Sequence, residues 1–444
     1  MTETDARAAT PGRAKHDRSE VVRFTRELIR MDTSNHGVGK AEGEEEAADY
    51  VRSLLEDVGL SCQVFAPEPR RTTLVSRWQG RQPELPALML HGHLDVVPAQ
   101  AADWTRDPFG GELVDGVIWG RGAVDMKGTD AMILATVRSM IRSGRQPARD
   151  VVLTFFADEE SGSTYGSDWM VKEHPEVFAG VSHAISEVGG YSTQINGRRA
   201  YLLQTGEKGV LWLKLTARGT AGHGSQVHHD NAVITLADAI GRIARIPCPV
   251  SLGATTTDLL ARVRGIAGLP RDADPSAVAD ATGQAARFVT PSLQNVINVT
   301  MFSGGYKENV VPEEASAMLD IRFLPGQREA VLRQIQQRVG PQVTIETRLV
   351  SEAVENPFEG ELIDQITSSI ERHDPGAAVL PYLLPAGTDN KQLGMLGIRG
   401  YGFAPLKLPA DLDFPALFHG VDERITVDSL VFGQDVLTDL LANY

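Results

Sequence analysis

Cysteine, net positive charge and long apolar runs are all scarce in this sequence. Only two cysteines, Cys62 and Cys248, occur among its 444 residues, which excludes a disulfide framework and indicates a reducing, cytoplasmic compartment. The net charge of −15 argues against nucleic acid or an anionic membrane as the main partner, since both are bound through clustered cations. No apolar run reaches the length of a transmembrane helix. The N-terminus lacks the apolar stretch of a secretory signal, so we expect residues 1–18 to form a disordered tail.

The length and the order of the segments predict two domains. A chain of 444 residues exceeds the size of one ordinary core. Apolar strand-like runs alternate with helical stripes in residues 19–205 and again in residues 346–444, which predicts an α/β catalytic domain with a mostly parallel sheet. Residues 206–345 follow a β-α-β-β-α order that is typical of a small α+β layer domain, and we expect them to form an inserted lid. Within this lid, residues 251–290 are predicted to be an irregular helical insertion.

Groups with metal-binding chemistry follow the first buried strand. The run Ala87–Leu90 is apolar and bounded by turn residues, as expected of a parallel strand that is covered on both faces. His93 and Asp95 come directly after it, two residues apart, so they point to the same side of an extended chain. This pair suits a metal-binding imidazole that a carboxylate supports. A strand-end turn with a hydrogen-bonded histidine explains the same two residues.

Two later strands end in acidic residues. The runs Asp150–Phe156 and His183–Ser186 are each followed by carboxylates, namely Asp158, Glu159 and Glu160 after the first and Glu187 after the second. Adjacent carboxylates are costly to bury unless cations compensate them, and a solvated acidic loop is the alternative. Because the carboxyl ends of parallel strands meet at one edge of a sheet, we expect these groups to converge with the histidine of the first strand.

A glycine-rich loop in the predicted lid carries one histidine. The preceding segment, Val210–Ala217, alternates apolar and polar residues, as a half-exposed antiparallel strand does. The loop itself, Arg218–Ser225, surrounds His223 with glycine residues. From this pattern alone, an exposed loop histidine is the better interpretation.

Several elements occur in a fixed order along the chain: His93-x-Asp95, Asp125 within Gly-Arg-Gly-Ala-Val-Asp-Met-Lys-Gly, the pair Glu159-Glu160, then Glu187 and His419. Together they resemble the M20 metallopeptidase family. Its members include aminoacylases, glutamate carboxypeptidases, acetylornithine deacetylases and succinyl-diaminopimelate desuccinylases. The resemblance extends over nearly the whole chain, from Val21 to Leu441.

The resemblance implies a di-zinc hydrolase of amide bonds. The implied metal ligands are His93 and Glu187 for one zinc ion, Glu160 and His419 for the other, and Asp125 as the bridge between them. Asp95 would orient His93, and Glu159 would be the general base that accepts a proton from water. Cobalt or manganese could replace zinc.

The same resemblance implies a homodimer formed through the lid and a set of substrate contacts. His223 would reach into the partner's site and stabilise the oxyanion of the reaction. The implied substrate contacts are Asn309, Arg322, Gly387 and Thr388. Arg322 suits a bidentate contact with a substrate carboxylate, although a structural salt bridge to a neighbouring acid explains it equally well.

Within this family, glutamate at position 187 is the pattern of aminoacylases and carboxypeptidases. The loop Thr388–Asn390, followed by Gly402–Pro405, is more similar to aminoacylases than to the biosynthetic deacylases. We therefore expect hydrolysis of small N-acyl amino acids. A dipeptidase or carboxypeptidase is the first alternative, and a deacetylase or desuccinylase of amino-acid biosynthesis the second. The insertion at 251–290 departs from the compact lid of desuccinylases and is a candidate wall for an apolar acyl pocket.

Two rivals come from other classes. One is a metal-binding scaffold that has lost catalysis, and the retained Glu159 argues against it. The other is a two-metal phosphoesterase, which the absence of a phosphate-cradling loop disfavours.

Overall fold

The computed structural model describes residues 19–37 and 39–444. The predicted disordered tail, residues 1–18, lies outside the described residues. Within the described ranges, no helix has both the length and the apolar character that are needed to cross a membrane. These residues fold into a large α/β unit and a smaller α+β unit, which we call the lid.

A mixed sheet of ten strands forms the centre of the large unit. Its middle strands are mutually parallel, in the order Val151–Phe156, Ala87–His93, Val181–Ser186 and Arg399–Gly402. The other strands are Cys62–Glu68, Arg71–Trp78, Tyr191–Ile195, Arg198–Glu207, Val354–Glu355 and Ala378–Leu384. Of the pairings that these strands make, one is parallel, between Ala378–Leu384 and Arg198–Glu207, and the rest are antiparallel. The predicted α/β class is confirmed.

Both faces of this sheet are buried, which explains the continuous apolar runs of its strands. On strand Ala87–His93, Leu88 and Leu90 belong to one hydrophobic core, and Met89 belongs to a second core on the opposite face. The helices of the large unit are Glu20–Arg30, Glu45–Glu56, Lys127–Arg142, Ser167–Glu173, Glu361–His373, Asn390–Gly394 and Val427–Asn443. A small separate sheet consists of Glu112–Val114, Val117–Trp119 and Arg424–Thr426.

The lid contains a four-stranded antiparallel sheet in the order Val296–Gly304, Glu314–Phe323, Gly209–Arg218 and Val343–Ser351. Helices Ala232–Ile243 and Arg328–Val339 share one core with the alternate apolar residues of these strands. A short ribbon pairs Gly222–His223 with Val310–Val311. The predicted lid boundary at residue 345 lies inside the last strand. Glu346, Thr347 and Arg348 are all exposed and the register shifts beside them, which interrupts the alternation of that strand.

The helical insertion leaves the lid and joins the large unit. Its helices are Ala254–Ala267, Pro275–Asp280 and Ala286–Val289. Leu259, Leu260 and Val263 are fully buried in the core of the ten-stranded sheet, not in the core of the lid. The backbone amide of Ser251 donates to the carbonyl of Leu293 at 2.8 Å, so the insertion starts and ends at the same place. The lid is therefore built from two chain segments.

Candidate metal centre and substrate cavity

Three strand ends bring functional side chains to one edge of the central sheet. His93 ends strand Ala87–His93, and the strands on either side of it are parallel to it. Glu159 and Glu187 follow these two neighbours, so all three side chains emerge at the same edge. Asp125 reaches this edge from the loop before helix Lys127–Arg142, and His419 reaches it from the loop before strand Arg424–Thr426.

The Asp125 carboxylate lies between two imidazoles. Its Oδ1 is 3.1 Å from His93 Nε2, and its Oδ2 is 3.3 Å from His419 Nε2. Glu187 Oε2 lies 3.5 Å from His93 Nε2, and Glu160 Oε2 lies 3.1 Å from His419 Nε2. The arrangement consists of two imidazole–carboxylate sets that share one aspartate.

These residues fit divalent metal ions. In two groups, His93 with Glu159 and Glu187 and His93 with Asp125 and Glu160, the ligand atoms lie within 4.8 Å of one another. Burial is the main cause that raises the pKa of Glu159, Glu160 and Glu187, and neighbouring carboxylates raise it further. Glu160 Oε1 is buried and has no hydrogen-bond partner among the residues that the structure describes. A cation among these oxygens would offset the cost of burying them.

Contacts between Asp125 and the two histidines, His93 and His419, shift the pKa values of these groups. Burial alone would raise the pKa of Asp125, but contacts with His419 and His93 outweigh it and hold that pKa below its usual range. The contacts of His419 with Asp125 and Glu160 raise the pKa of its imidazole to about 10. Both ring nitrogens that face Asp125 are thus aimed at the place where a cation would lie.

Asp95 contacts His93 through both its main chain and its carboxylate. His93 Nδ1 lies 2.8 Å from the main-chain oxygen of Asp95 and 3.5 Å from its carboxylate, so the backbone makes the closer contact that orients the imidazole. The Asp95 carboxylate also accepts hydrogen bonds from the backbone amides of Glu159 and Glu160, at 3.1 and 3.2 Å. It thereby fixes the turn that presents both glutamates.

Two further residues that the sequence did not single out support this turn. Asn35 donates to Asp95 at 2.8 Å and to Asp158 at 3.0 Å. Arg71 donates to Asp158 at 2.7 Å and contacts Glu44 at 2.9 Å, with both of these ion pairs buried. Asp158 itself has a φ of 65°, a left-handed conformation that is uncommon for non-glycine residues. Asn35 ends a polar loop, which was the one signal available in the sequence.

Glu423 holds the segment that carries Asp125. Its carboxylate accepts hydrogen bonds from the backbone amides of Val124 and Asp125 at 2.7 and 3.0 Å. It also pairs with Arg121 at 2.7 Å, and both side chains are buried. Glu423 follows His419 by four residues in the sequence, so one loop supplies a candidate metal ligand and the support for another.

A cavity of about 360 Å³ opens directly onto the centre. Its lining has three parts: the acidic and imidazole groups Asp125, Glu159, Glu160, Glu187 and His419; the apolar residues Val188, Phe288, Leu384 and Phe418; and Arg322 with Ala386 and Gly387. The Arg322 guanidinium also makes two hydrogen bonds to Asp320, at 2.7 and 3.0 Å. Arg322 therefore makes the salt bridge to a neighbouring acid and also lines the cavity, and its contact with a substrate carboxylate stays a prediction.

The loop predicted to contact substrate, Gly387 and Thr388, places one residue at the cavity and buries the other. Gly387 lines the cavity. Thr388 is buried, and its backbone amide and hydroxyl donate to Glu207 at 2.9 and 2.6 Å. Asp389 accepts hydrogen bonds from Ser163 and Ser167. In this chain Thr388 anchors the loop and does not line the cavity.

His223 and Asn309 lie outside the cavity. His223 pairs with Val310 in the lid ribbon, and the backbone of Asn309 accepts from the amide of Gly224 at 2.9 Å. Both side chains are exposed, and His223 Nδ1 contacts the hydroxyl of Ser225 at 2.7 Å. Both residues lie on the lid, and neither lines the cavity of its own chain.

The comparisons with known proteins identify the family of the chain. The model of the peptidase family M20/M25/M40 matches residues 89–443. The chain is 28% identical to aminoacylase-1 of Sus scrofa over 89% of each sequence, and 30% identical to succinyl-diaminopimelate desuccinylase of Rhodospirillum centenum over 74% of this chain and 76% of that protein. Its fold is similar to that of an M20 family metallo-carboxypeptidase from Sulfolobus solfataricus, with a TM-score of 0.74, 19% identity and coverage of 96% and 99%. The chain belongs to the peptidase family M20/M25/M40.

Proposed function

We propose that this protein hydrolyses the amide bond of N-acyl amino acids. One observation carries the proposal: a single cavity combines the paired imidazole–carboxylate centre, the free carboxylate of Glu159 and the cationic side chain of Arg322. An N-acyl amino acid needs these three features, since it presents a scissile carbonyl, a leaving nitrogen and a carboxylate. The similarity to aminoacylase-1 over most of the chain supports the choice.

His93 and Glu187 would hold one metal ion, Glu160 and His419 a second, and Asp125 both. Two bound divalent ions would supply Lewis acidity that polarises the scissile carbonyl and lowers the pKa of a water molecule. We propose zinc as the native metal because imidazole and carboxylate sets suit it. Cobalt or manganese would be substitutes.

Glu159 is the proposed general base. It lines the cavity, while the Asp95 carboxylate fixes its backbone. Burial raises the pKa of Glu159 well above its ordinary value, which suits a group that first accepts a proton from water and then gives it to the leaving nitrogen. Arg322 and the backbone of Gly387 would hold the substrate carboxylate at the lid side of the cavity.

A dipeptidase or carboxypeptidase is the second candidate, because a peptide with a free C-terminal carboxylate presents the same three groups. The metallo-carboxypeptidase with a similar fold keeps this alternative open. A deacetylase or desuccinylase of amino-acid biosynthesis comes third, in keeping with the desuccinylase relative. A cytoplasmic location stays a prediction.

A homodimer through the lid would bring His223 to a partner's site. The strand Val296–Gly304 is the outer strand of the lid sheet in the described residues, and it exposes Val299, Met301 and Phe302 by 40%, 66% and 49%. An exposed apolar edge strand of this length is a template for pairing with a second copy. His223 is exposed on the same unit, so it would be free to stabilise the oxyanion in the partner's cavity.

The test of this function is amine release from a panel of N-acyl amino acids and dipeptides by the zinc-loaded protein, with a chelator control. We expect chelator-sensitive cleavage of the acyl amino acids. Glu159→Gln should abolish turnover while metal content, measured by mass spectrometry, stays unchanged. The exposed Glu56→Gln is the matched control and should keep full activity. Cleavage of dipeptides alone would transfer the assignment to the peptidases.

Mixing two inactive variants tests the shared site. Hybrid dimers of His223→Ala and Glu159→Gln should recover up to about one quarter of the wild-type activity, because only dimers with one chain of each kind contain a complete site. No recovery in a mixture that exchanges subunits would exclude action of His223 across the dimer.

A further inference from the structure

An aromatic wall lies beside the metal centre, and the chemistry proposed above gives it no role. Phe288 of the insertion and Phe418 of the loop before His419 both line the cavity. Their ring centroids are 5.5 Å apart in an edge-to-face arrangement. An ion pair of 3.0 Å between Arg287 and Asp413 joins the same two segments. The insertion is therefore fastened to the loop that carries a candidate metal ligand.

Buried rings behind the wall hold it in place. Phe414 contacts Phe418 at a centroid distance of 5.3 Å and Tyr191 at 5.1 Å. Tyr191 also contacts Phe288 at 6.4 Å. Tyr191 and Phe414 are only 2% and 4% exposed, whereas Phe288 and Phe418 are half-buried and turn part of each ring to the cavity. A fixed apolar surface within a cavity favours an apolar ligand group.

We infer that Phe288 and Phe418 form a subsite for the acyl group of the substrate, and that this subsite favours long or aromatic acyl groups over acetyl. The inference rests on the proposed function. If Arg322 holds the carboxylate and the carbonyl lies at the metal centre, the acyl group extends from the carbonyl away from the nitrogen. Phe418 adjoins His419 in the chain, so its ring is beside the centre. Phe288 then extends this surface on the side of the large unit, whereas Arg322 belongs to the lid.

The experiment compares two substrate series on wild type and Phe288→Ala, with both proteins loaded with zinc. One series varies the acyl group on methionine, from acetyl to octanoyl and benzoyl, and the other varies the amino acid under a fixed acetyl group. Phe288→Ala should lower the ratio of kcat/KM for octanoyl over acetyl by roughly 10-fold or more, as expected when a hydrophobic pocket loses several apolar contacts. Phe288→Leu keeps an apolar side chain and should lose much less. Phe358→Ala is the matched control, because Phe358 is a half-buried ring of the same core outside the cavity.

Binding to the Glu159→Gln protein, followed by calorimetry, separates the subsite from the reaction. Tighter binding of octanoyl-methionine than of acetyl-methionine, lost on adding Phe288→Ala, supports the subsite even if wild type cleaves neither compound and the proposed function fails. If Phe288→Ala lowers kcat/KM and binding equally for all acyl groups, or changes neither, the inference is overturned. The proposed hydrolysis of N-acyl amino acids is not affected by that outcome. A loss of kcat/KM that depends on the amino acid and not on the acyl group would also overturn the inference, because the aromatic wall would then contact the leaving group.

Discussion

Replacing Glu423 by glutamine should destabilise the loop that carries Asp125 and weaken metal binding. The Arg121–Glu423 pair has a separation of 2.7 Å, and its side chains are 4% and 0% exposed. Backbone amides of Gly122, Val124 and Asp125 also donate to the same carboxylate. Burial raises the pKa of Glu423, whereas Arg121 and these amides oppose the increase. The carboxylate thus compensates one buried cation and three backbone donors.

The expected loss follows from removing one partner of a buried ion pair. Such a change costs about 3–5 kcal/mol, because the remaining charge stays buried without compensation. Glutamine keeps one acceptor oxygen, so we expect the lower end, roughly 3 kcal/mol. Asp125 would lose part of its support, and metal affinity should fall about 10- to 100-fold, as it does when groups that orient a ligand are removed.

Urea unfolding of the metal-free protein and titration with zinc under a competing chelator measure the two effects. Glu112→Gln is the matched control: its pair with Arg106 has the same 2.7 Å separation, but the side chains are 43% and 33% exposed, so the loss should stay below about 1 kcal/mol. A double variant with Arg121→Met should be less destabilised than the sum of the single variants. A loss below about 1 kcal/mol for Glu423→Gln, or unchanged zinc affinity, would refute the argument.

Three further predictions concern acid stability, the turn support and metal removal. Burial lowers the pKa of His91 to about 4 from its ordinary 6.5; the folded state therefore favours the neutral ring, and stability should fall as the pH drops from 6.5 to 4. His91→Gln can still bond to Asn390 but does not titrate. In the metal-free protein, its free energy of unfolding should therefore fall less over this pH range than that of wild type, by up to roughly 3 kcal/mol. Equal pH profiles of the two proteins in urea unfolding would contradict this prediction. Asn35→Ala removes the donor shared by Asp95 and Asp158, so kcat should fall at least about 10-fold with little change in KM. A raised KM with an unchanged kcat in steady-state kinetics would exclude a positioning role. Chelation should lower the Tm, because buried carboxylates lose their compensating cations. A Tm that is the same with and without zinc in scanning calorimetry would argue against metal binding at this centre.

The central sheet and its acidic edge were predictable because the signals are local. His93, Glu159 and Glu187 each follow an apolar run, and parallel strands place such positions together wherever the rest of the chain lies. The pairings of Arg71 and Asn35 were not predictable. They join residues that are 87 and 123 positions away from Asp158, and no pattern along the sequence marks such partners.

The path of the insertion shows a second limit. Leu259, Leu260 and Val263 form an ordinary apolar stripe, and a stripe does not specify which core will bury it. Only the fold reveals that it packs in the large unit and so brings Phe288 to the cavity. The strand Val343–Ser351 was missed for a different reason, since three consecutive exposed residues, Glu346, Thr347 and Arg348, interrupt its alternation of apolar and polar residues.

Because the insertion returns to the large unit, the chain passes between the two units four times and not twice. These passages lie side by side: Glu207 pairs with Val354, and the Lys208 ammonium donates to the carbonyls of Pro291 and Gln294 at 2.9 and 2.7 Å. The covalent links between the two units are thus gathered in one place and held together by hydrogen bonds. Any motion that carries Arg322 toward or away from the candidate metal centre must therefore bend the chain at these four connections, which lie on one side of the lid.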